Sequence, residues 1–343
     1  MKNCKSRNLM LLFSLFVTIL LFVANIFFGS VEIPFSDVID ILVGGEPQRE
    51  SWRLILLQSR LPQAIVALFC GMSLSAAGLM LQTLFNNPLA GPEVFGINSG
   101  AGLGVAVVML LLQGTFVAGG MTIGGYMAVL AGAFVGAILT IGVILLFSTL
   151  LRGNVFLLIA GMALSYLTSS VVSLLNYFST AEGVHSYLIW GMGNFGGVSQ
   201  QQLPLFVALM VVSLLLSLLM MKPLNALLLG NAYAANLGVK TKRVRALLLL
   251  LTGFLTAVVT AYCGPITFVG LAVPHVARIL LGTNNHRVLL PVTIVLGGAT
   301  ALLCNIICQL PGESGLVPLG AVTPLLGAPV VLYVVLKSRG VYS

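Results

Sequence analysis

Charge is what this chain has least of. Its 343 residues include 16 Lys and Arg and 8 Asp and Glu, 7% in all, where a soluble protein carries about 25%. Hydrophobic residues make up 59%. So few charges cannot cover the surface of a water-soluble domain of this length, and a soluble enzyme is excluded.

Motifs for self-contained chemistry are missing as well. No lysine follows a glycine, so the phosphate-cradling GxxxxGK[ST] cannot be present and the chain does not hydrolyse ATP by itself. The glycine run at 100–104 is followed by Val105, which breaks GxGxxG, and it heads an apolar stretch with no strand context. HExxH is absent, and His185, His275 and His286 stand apart from any Ser/Asp or carboxylate constellation. The five cysteines form no CxxC pair. Cys304 and Cys308 share a helix face at i, i+4, and they read as small apolar packers. Neither a disulfide framework nor a metal site is indicated. The apolar stretches hold no acid at mid-depth, which disfavours coupling to a proton gradient. His275, behind Pro274, reads as a helix-terminus or packing residue ahead of a proton relay.

Long apolar runs are what the chain does have. They cover roughly 9–28, 61–84, 96–112, 120–147, 155–178, 203–221, 246–263, 266–280, 289–309 and 319–336, the eighth short and proline-interrupted. At about 20 residues per crossing, this predicts an all-α polytopic membrane protein with about ten transmembrane helices, a single domain over 1–343 with both termini on one side. Charge agrees with that count. With the N-terminus inside, the inner segments hold thirteen basic residues against Glu93 alone, while the outer ones hold Arg49, Arg53 and Arg60 against seven acids. A wrong span count would scramble this split, so the positive charge is a topology signal and both termini are expected in the cytoplasm. The run 9–28 ends in Asn25, Ile26 and Phe27 without a small-x-small cleavage site, and it reads as a retained first span.

The connecting segments carry further expectations. In the outer loop 29–60, Ser36 as N-cap and Gly44-Gly45 as a stop predict a short surface helix. The outer loop 179–202 carries Tyr187 and Trp190, which suit the headgroup level. The longest inner loop is 222–245. Within it Leu224, Leu227 and Leu228 lie at i, i+3, i+4, Gly230 breaks the run, and Tyr233 and Leu237 follow before Gly238. That pattern predicts two short helices that would form a docking knob for a cytoplasmic partner, the alternative being a basic loop resting on lipid headgroups. Along 155–178, Gly161, Ser165, Thr168, Ser169, Ser173 and Asn176 recur on a single helical face. They could wall a pathway for a polar solute or serve close helix packing. The GxxxG pairs Gly120–Gly124 and Gly132–Gly136 read as packing. Asn87 and Pro88 read as turn residues.

Three stretches, together with their order, are specific. They are RLPQ at 60–63 running through NPLA at 87–90, the loop GNAYAANLGV at 230–239, and GPITFVGLAVPHVAR at 264–278 continuing to PLG at 318–320 and GAP at 327–329. The combination resembles the FecCD-type permeases, membrane subunits of ATP-driven (ABC) importers for iron-siderophores, haem and cobalamin. The resemblance covers nearly the whole chain. It implies a ten-span permease in a bacterial cytoplasmic (inner) membrane, paired with a second copy or a paralogue. Two cytoplasmic ATPase subunits and an extracytoplasmic binding protein would complete the assembly, with no cofactor in this chain and ATP bound by the partner subunit. It further implies that 222–245 is the coupling loop, with Leu227, Leu228, Tyr233, Leu237 and Gly238 contacting the ATPase. Arg60 would meet carboxylates of the binding protein, and the face carrying Gly161, Ser165, Thr168, Ser169, Ser173 and Asn176 would line the pathway. Two positions depart from the family pattern: Gln63 stands where a second Arg is common, and Asn231 where an acid is common. The competing readings are an ion-gradient-driven secondary transporter, disfavoured by the missing acids, and a membrane-embedded enzyme, for which no nucleophile or metal cluster is visible.

Overall fold

The structure, a computed structural model, describes residues 4–112, 115–118, 121–151, 154–309 and 317–339. Lys2, Arg152 and Glu313 of the charge split, and Gly120 of the first GxxxG pair, lie outside the described residues. All ten apolar runs form helices. In chain order these and the connecting elements are α1 (Cys4–Phe27), α2 (Phe35–Val43), α3 (Glu50–Leu54), α4 (Leu61–Phe85), α5 (Ile97–Ala106), α6 (Gly125–Leu150), α7 (Asn154–Phe178), α8 (Ala181–Gly191), α9 (Leu203–Leu219), α10 (Met221–Leu227), α11 (Asn231–Asn236), α12 (Thr241–Cys263), α13 (Val269–Leu281), α14 (His286–Cys308) and α15 (Leu319–Arg339). A small antiparallel hairpin, β1 (Thr115–Ala118) with β2 (Met121–Gly124), precedes α6 and takes up part of the run expected to be helical from 120.

Among the described residues six helical segments are long and apolar enough to cross a membrane, and α9 with α10 makes a seventh bent by 48°. The remaining three, Ile97–Leu111, Val269–Leu281 and Leu319–Val334, are shorter. A 13-residue helix such as α13 rises about 20 Å, short of the roughly 30 Å hydrocarbon core. Non-helical backbone must complete such a crossing, and it is tolerated only where protein surrounds it. The segments flanking α5 and α13 meet that condition: Gly91, Pro92 and Phe95 before α5, and Gly264 and Ile266 before α13, are buried.

The helix α4 is the centre of the bundle, with 19 of its 25 residues buried. It is continuous with α3 through a π-helical stretch at Ile55–Arg60, so the second span extends outward well beyond its apolar run. Small residues let neighbours reach it. A side chain at Gly78 would collide with the backbone carbonyl of Gly270 in α13, and one at Gly71 with that of Gly297 in α14. The same device joins α5 to α6, where Gly100 and Gly104 face Gly132 and Gly136. This is the packing expected of Gly132–Gly136, and it accounts for the 100–104 glycine run that resembles a nucleotide loop only in composition. Polar side chains tie α1 to α14: Asn25 donates to the carbonyl of Leu302 at 3.1 Å and accepts from Asn305 at 2.7 Å, the interhelical bonding that apolar surroundings favour.

Two loop expectations need correction. The surface helix α2 ends at Gly44 as expected, in the left-handed conformation at φ 89°, but Pro34 rather than Ser36 precedes its first turn. The outer loop 179–202 contains a helix, α8, whose N-cap Thr180 accepts from the N–H of Gly183 at 3.2 Å. Thr180 followed by Glu182 is an N-terminal signal legible in the sequence. Tyr187 and Trp190 of α8 are half-buried, with Tyr187 packed on Gly102 of α5, so they hold α8 inward. Burial raises the Tyr187 phenol above its ordinary pKa.

Candidate functional site

Between α9 and α12, 222–245 forms the two short helices that its leucine spacing predicts. Gly230 separates them at φ 93° and Gly238 closes the second at φ 82°, backbone values that side chains beyond Cα disfavour. Leu224 and Leu227 turn into the permease and are 0% and 8% exposed. The contact role expected for Leu227 is therefore corrected: its side chain anchors the knob from beneath. Leu228, Tyr233 and Leu237 point outward at 41%, 56% and 58% exposure, joined by Leu229 at 60%. The four outward side chains and Gly238 form an apolar tip, with Lys240, Lys242 and Arg243 following. Leu229 belongs to this tip and was missed because three consecutive leucines offer no periodicity to divide inward from outward.

The polar face of α7 divides in two. Gly161 is buried where a Cβ would lie 2.8 Å from the carbonyl of Val94, and Ser165 lies against Gly96. Thr168 is buried, bonded to the carbonyls of Leu164 and Ser165. Gly161 and Ser165 seat α7 on the Pro92–Gly96 turn, Thr168 is buried one turn further on, and the pathway role expected of the three is corrected to packing. Ser169 and Ser173 are exposed, and Asn176 is half-buried with its Oδ1 unpartnered. Around them Tyr166, Leu167, Leu174, Tyr177 and Phe178 are also exposed, so this half of the helix faces outward from the single chain.

Arg60 is not available to a docking partner. It is 4% exposed, and its guanidinium donates to the carbonyls of Ile26 at 3.1 Å, Phe27 at 3.0 Å and Val31. Helix ends leave four carbonyls without intrahelical partners, and Arg60 satisfies two at the end of α1. Gly29 makes room, since a Cβ there would lie 2.6 Å from the Arg60 Nε. Docking by Arg60 is thus corrected to closure of the α1–α4 corner. Arg60→Met should lower stability by about 2 kcal/mol, the scale of bonds to a charged donor, read as an earlier thermal transition of the detergent-solubilised permease.

Around the C-terminal end of α4 the Pro-His-x-x-Arg segment at 274–278 acts as a clamp. The His275 Nε2 donates to the Pro88 carbonyl at 2.9 Å, which is the packing role expected for that histidine. Arg278 donates to the Gln82 Oε1 at 2.6 Å, and Gln82 donates to the Leu271 carbonyl at 3.1 Å. The turn itself is built from Asn86 at φ 46° and from the Asn87 side chain, which accepts from the N–H of Leu89 at 2.9 Å. Glu93 needs correction too. Its neighbour Pro92 packs on Gly270, which in turn sits against Gly78, seven residues before the end of α4. That is about 10 Å inside the bundle at 1.5 Å per residue. One acid therefore does lie within the helical layer. The N–H groups of Glu93 itself and of Phe268 face the carboxylate. Phe268 precedes α13, so the carboxyl serves the unpaired donors at that helix start.

Met109, Tyr126, Thr180, Glu182 and Trp190 line a cavity of about 700 Å³ between the segment after α5, the start of α6 and α8. Among the described residues no group of three or more His, Cys, Asp or Glu could hold a metal.

A family model described as the FecCD transport family matches residues 17–337. The chain belongs to that family. Its relatives include a vitamin B12 import system permease protein of Klebsiella pneumoniae subsp. pneumoniae, 38% identical over 302 residues covering 86% of each chain. A protein so described in Citrobacter koseri is 37% identical over 289 residues, covering 83% of this chain and 84% of that one. A transporter assigned to the metal-chelate ABC type, solved in an inward-facing conformation, superposes with a TM-score of 0.82 at 28% identity over 95% of this chain and 98% of that one. The chain is a multi-pass permease of the ABC importer type.

Proposed function

We propose that this chain is the membrane subunit of an ATP-driven importer that carries cobalamin into the cytoplasm. The observation that carries this reading is the 38% identity with a vitamin B12 permease, sustained over 86% of the chain. The exposed apolar tip of 228–238 supports a separate ATPase as the energy source, because the chain has no phosphate-binding motif of its own. On this reading two permease copies, or this chain with a paralogue, meet across a central pathway. An ATPase pair docks on the inside and a binding protein on the outside, and both termini lie in the cytoplasm of a bacterial inner membrane. The exposed half of α7 is our candidate for the pathway wall.

Deleting the gene and supplying labelled cobalamin, ferric siderophore or haem tests the substrate. Cobalamin uptake should be lost and should return with the intact gene. Loss of iron uptake instead would establish the second reading, an iron chelate, which the superposition on a metal-chelate type transporter favours. Replacing both Ser169 and Ser173 by Leu should slow uptake several-fold while ATPase binding is kept, because two bulkier apolar side chains narrow a polar wall. An unchanged rate would assign this half of α7 to lipid.

A further inference from the structure

Beneath the docking tip, the knob is wired into the permease through one amide. The Oδ1 of Asn225 in α10 accepts from the main-chain N–H of His286 at 2.8 Å and from its ring Nδ1 at 3.0 Å. The Nδ2 of Asn225 donates to Asn285 Oδ1 at 2.9 Å, and that oxygen also accepts from the N–H of Arg287 at 3.1 Å. Asn225 and Asn285 together therefore satisfy the first turn of α14, whose leading N–H groups have no partner inside the helix. The His286 ring lies 1% exposed. Its Nε2 lies 2.8 Å from the Thr83 hydroxyl in the last turn of α4, and that hydroxyl donates to the Leu79 carbonyl at 2.9 Å.

From Thr83 the connection is short. Gln82, its neighbour, holds Arg278 of α13, and His275 of the same helix holds the carbonyl of Pro88 in the turn that follows α4. The path thus runs from the knob to α14, α4, α13 and the 86–91 turn through side chains that are buried or half-buried. Leaving such a group unpaired costs about 1–3 kcal/mol, so a displaced α10 carries α14 and α4 with it more readily than it breaks away. Apolar packing of Leu224 and Leu227 alone would hold the knob but allow it to slide, because dispersion contacts have little direction.

We infer that Asn225 is a positioning residue for transport, which transmits the displacement of α10 through His286 to Thr83 at the inner end of α4. The inference rests on the proposed reading of 222–245 as the ATPase-docking loop. Asn225 lies on the side of α10 turned toward α14, and the ATPase would meet the exposed tip. Loss of this amide should therefore separate hydrolysis from transport without releasing the ATPase.

The test uses the complete transporter, permease with ATPase and binding protein, reconstituted in lipid vesicles, and reads labelled cobalamin taken up per ATP hydrolysed. Asn225→Leu is expected to bind the ATPase and hydrolyse ATP at close to the wild-type basal rate while uptake per ATP falls about tenfold, the usual scale of coupling between sites. Asn225→Asp keeps an acceptor for both His286 donors and should restore the ratio to within about twofold, a rescue that a merely steric role for residue 225 would not require. Thr83→Val removes one hydroxyl at nearly constant volume and should lower the ratio several-fold, and it keeps the test decisive if Asn225→Leu fails to assemble. A wild-type ratio in Asn225→Leu, or in Thr83→Val, overturns the inference, as does an Asn225→Asp protein as uncoupled as the leucine variant. A wild-type permease that binds no ATPase overturns the docking reading and the inference with it. One that binds the ATPase but takes up no cobalamin overturns the substrate reading alone, and the same ratio is then read with labelled ferric siderophore.

Discussion

Leu237→Asp should leave the permease folded and inserted while lowering ATP-linked uptake more than tenfold. Leu237 is 58% exposed at the end of α11, so its replacement removes almost no internal packing, and surface substitutions of this kind usually change stability by less than about 0.5 kcal/mol. On the proposed docking mode the same side chain becomes enclosed against the ATPase. A carboxylate enclosed there without a partner costs several kcal/mol, and about 1.4 kcal/mol already represents a tenfold loss of occupancy. The variant should appear in the membrane at normal abundance, fail to retain the ATPase on purification, and show no uptake above background. Normal uptake would remove 228–238 from the docking surface. The neighbouring Leu227→Asp should behave differently, because Leu227 is buried within the permease: its principal effect is expected on the amount of folded protein.

The second large effect is expected at Gly78. A Cβ at that position would overlap the carbonyl and Cα of Gly270, and backbone atoms cannot rotate away as a side-chain tip can. Gly78→Val would force α4 and α13 apart at the point where Pro92 also packs on Gly270, disturbing the turn before α5 at the same time. Overpacking of this kind costs about 3 kcal/mol or more, enough to abolish a discrete thermal transition or the yield of monodisperse protein. Gly142→Val in α6 is the control. Nothing lies within 4 Å of a Cβ built there, and valine is a better helix residue than glycine, so this variant should unfold at or slightly above the wild-type temperature. Equal behaviour of the two variants would show that α4 and α13 tolerate separation.

Much of the architecture was legible because lipid imposes a simple rule. Every crossing must be apolar and internally hydrogen-bonded, so ten apolar runs became ten helical segments. The glycine stops at Gly44, Gly230 and Gly238 were legible for an equally local reason, since each has the positive φ that glycine adopts freely. The two short helices between α9 and α12 followed from leucine spacing and those stops. The resemblance to FecCD permeases added what no local rule supplies, the expectation of an ATPase and a binding protein.

Contacts between distant segments were not legible. Arg60 carries the charge of an outer docking residue, yet three carbonyls from the end of α1 and the residues after it enclose it. Glu93 stands in a segment that reads as an inner loop, yet the packing of Pro92 on Gly270 draws it into the bundle. The stripe on α7 has one period from Gly161 to Asn176, and only the position of the Pro92–Gly96 turn divides it into a packed half and an exposed half. Asn225, His286 and Thr83 are separated by 61 and 203 positions in the chain, and no spacing rule joins them. The sequence by itself therefore determined the helices, their order along the chain and the family. The tertiary structure alone decided which polar groups are consumed in holding those helices together and which are left for partners. The physical reason is that hydropathy and backbone preference act over a few residues, whereas a buried donor takes whichever acceptor the packing of remote helices brings within 3 Å.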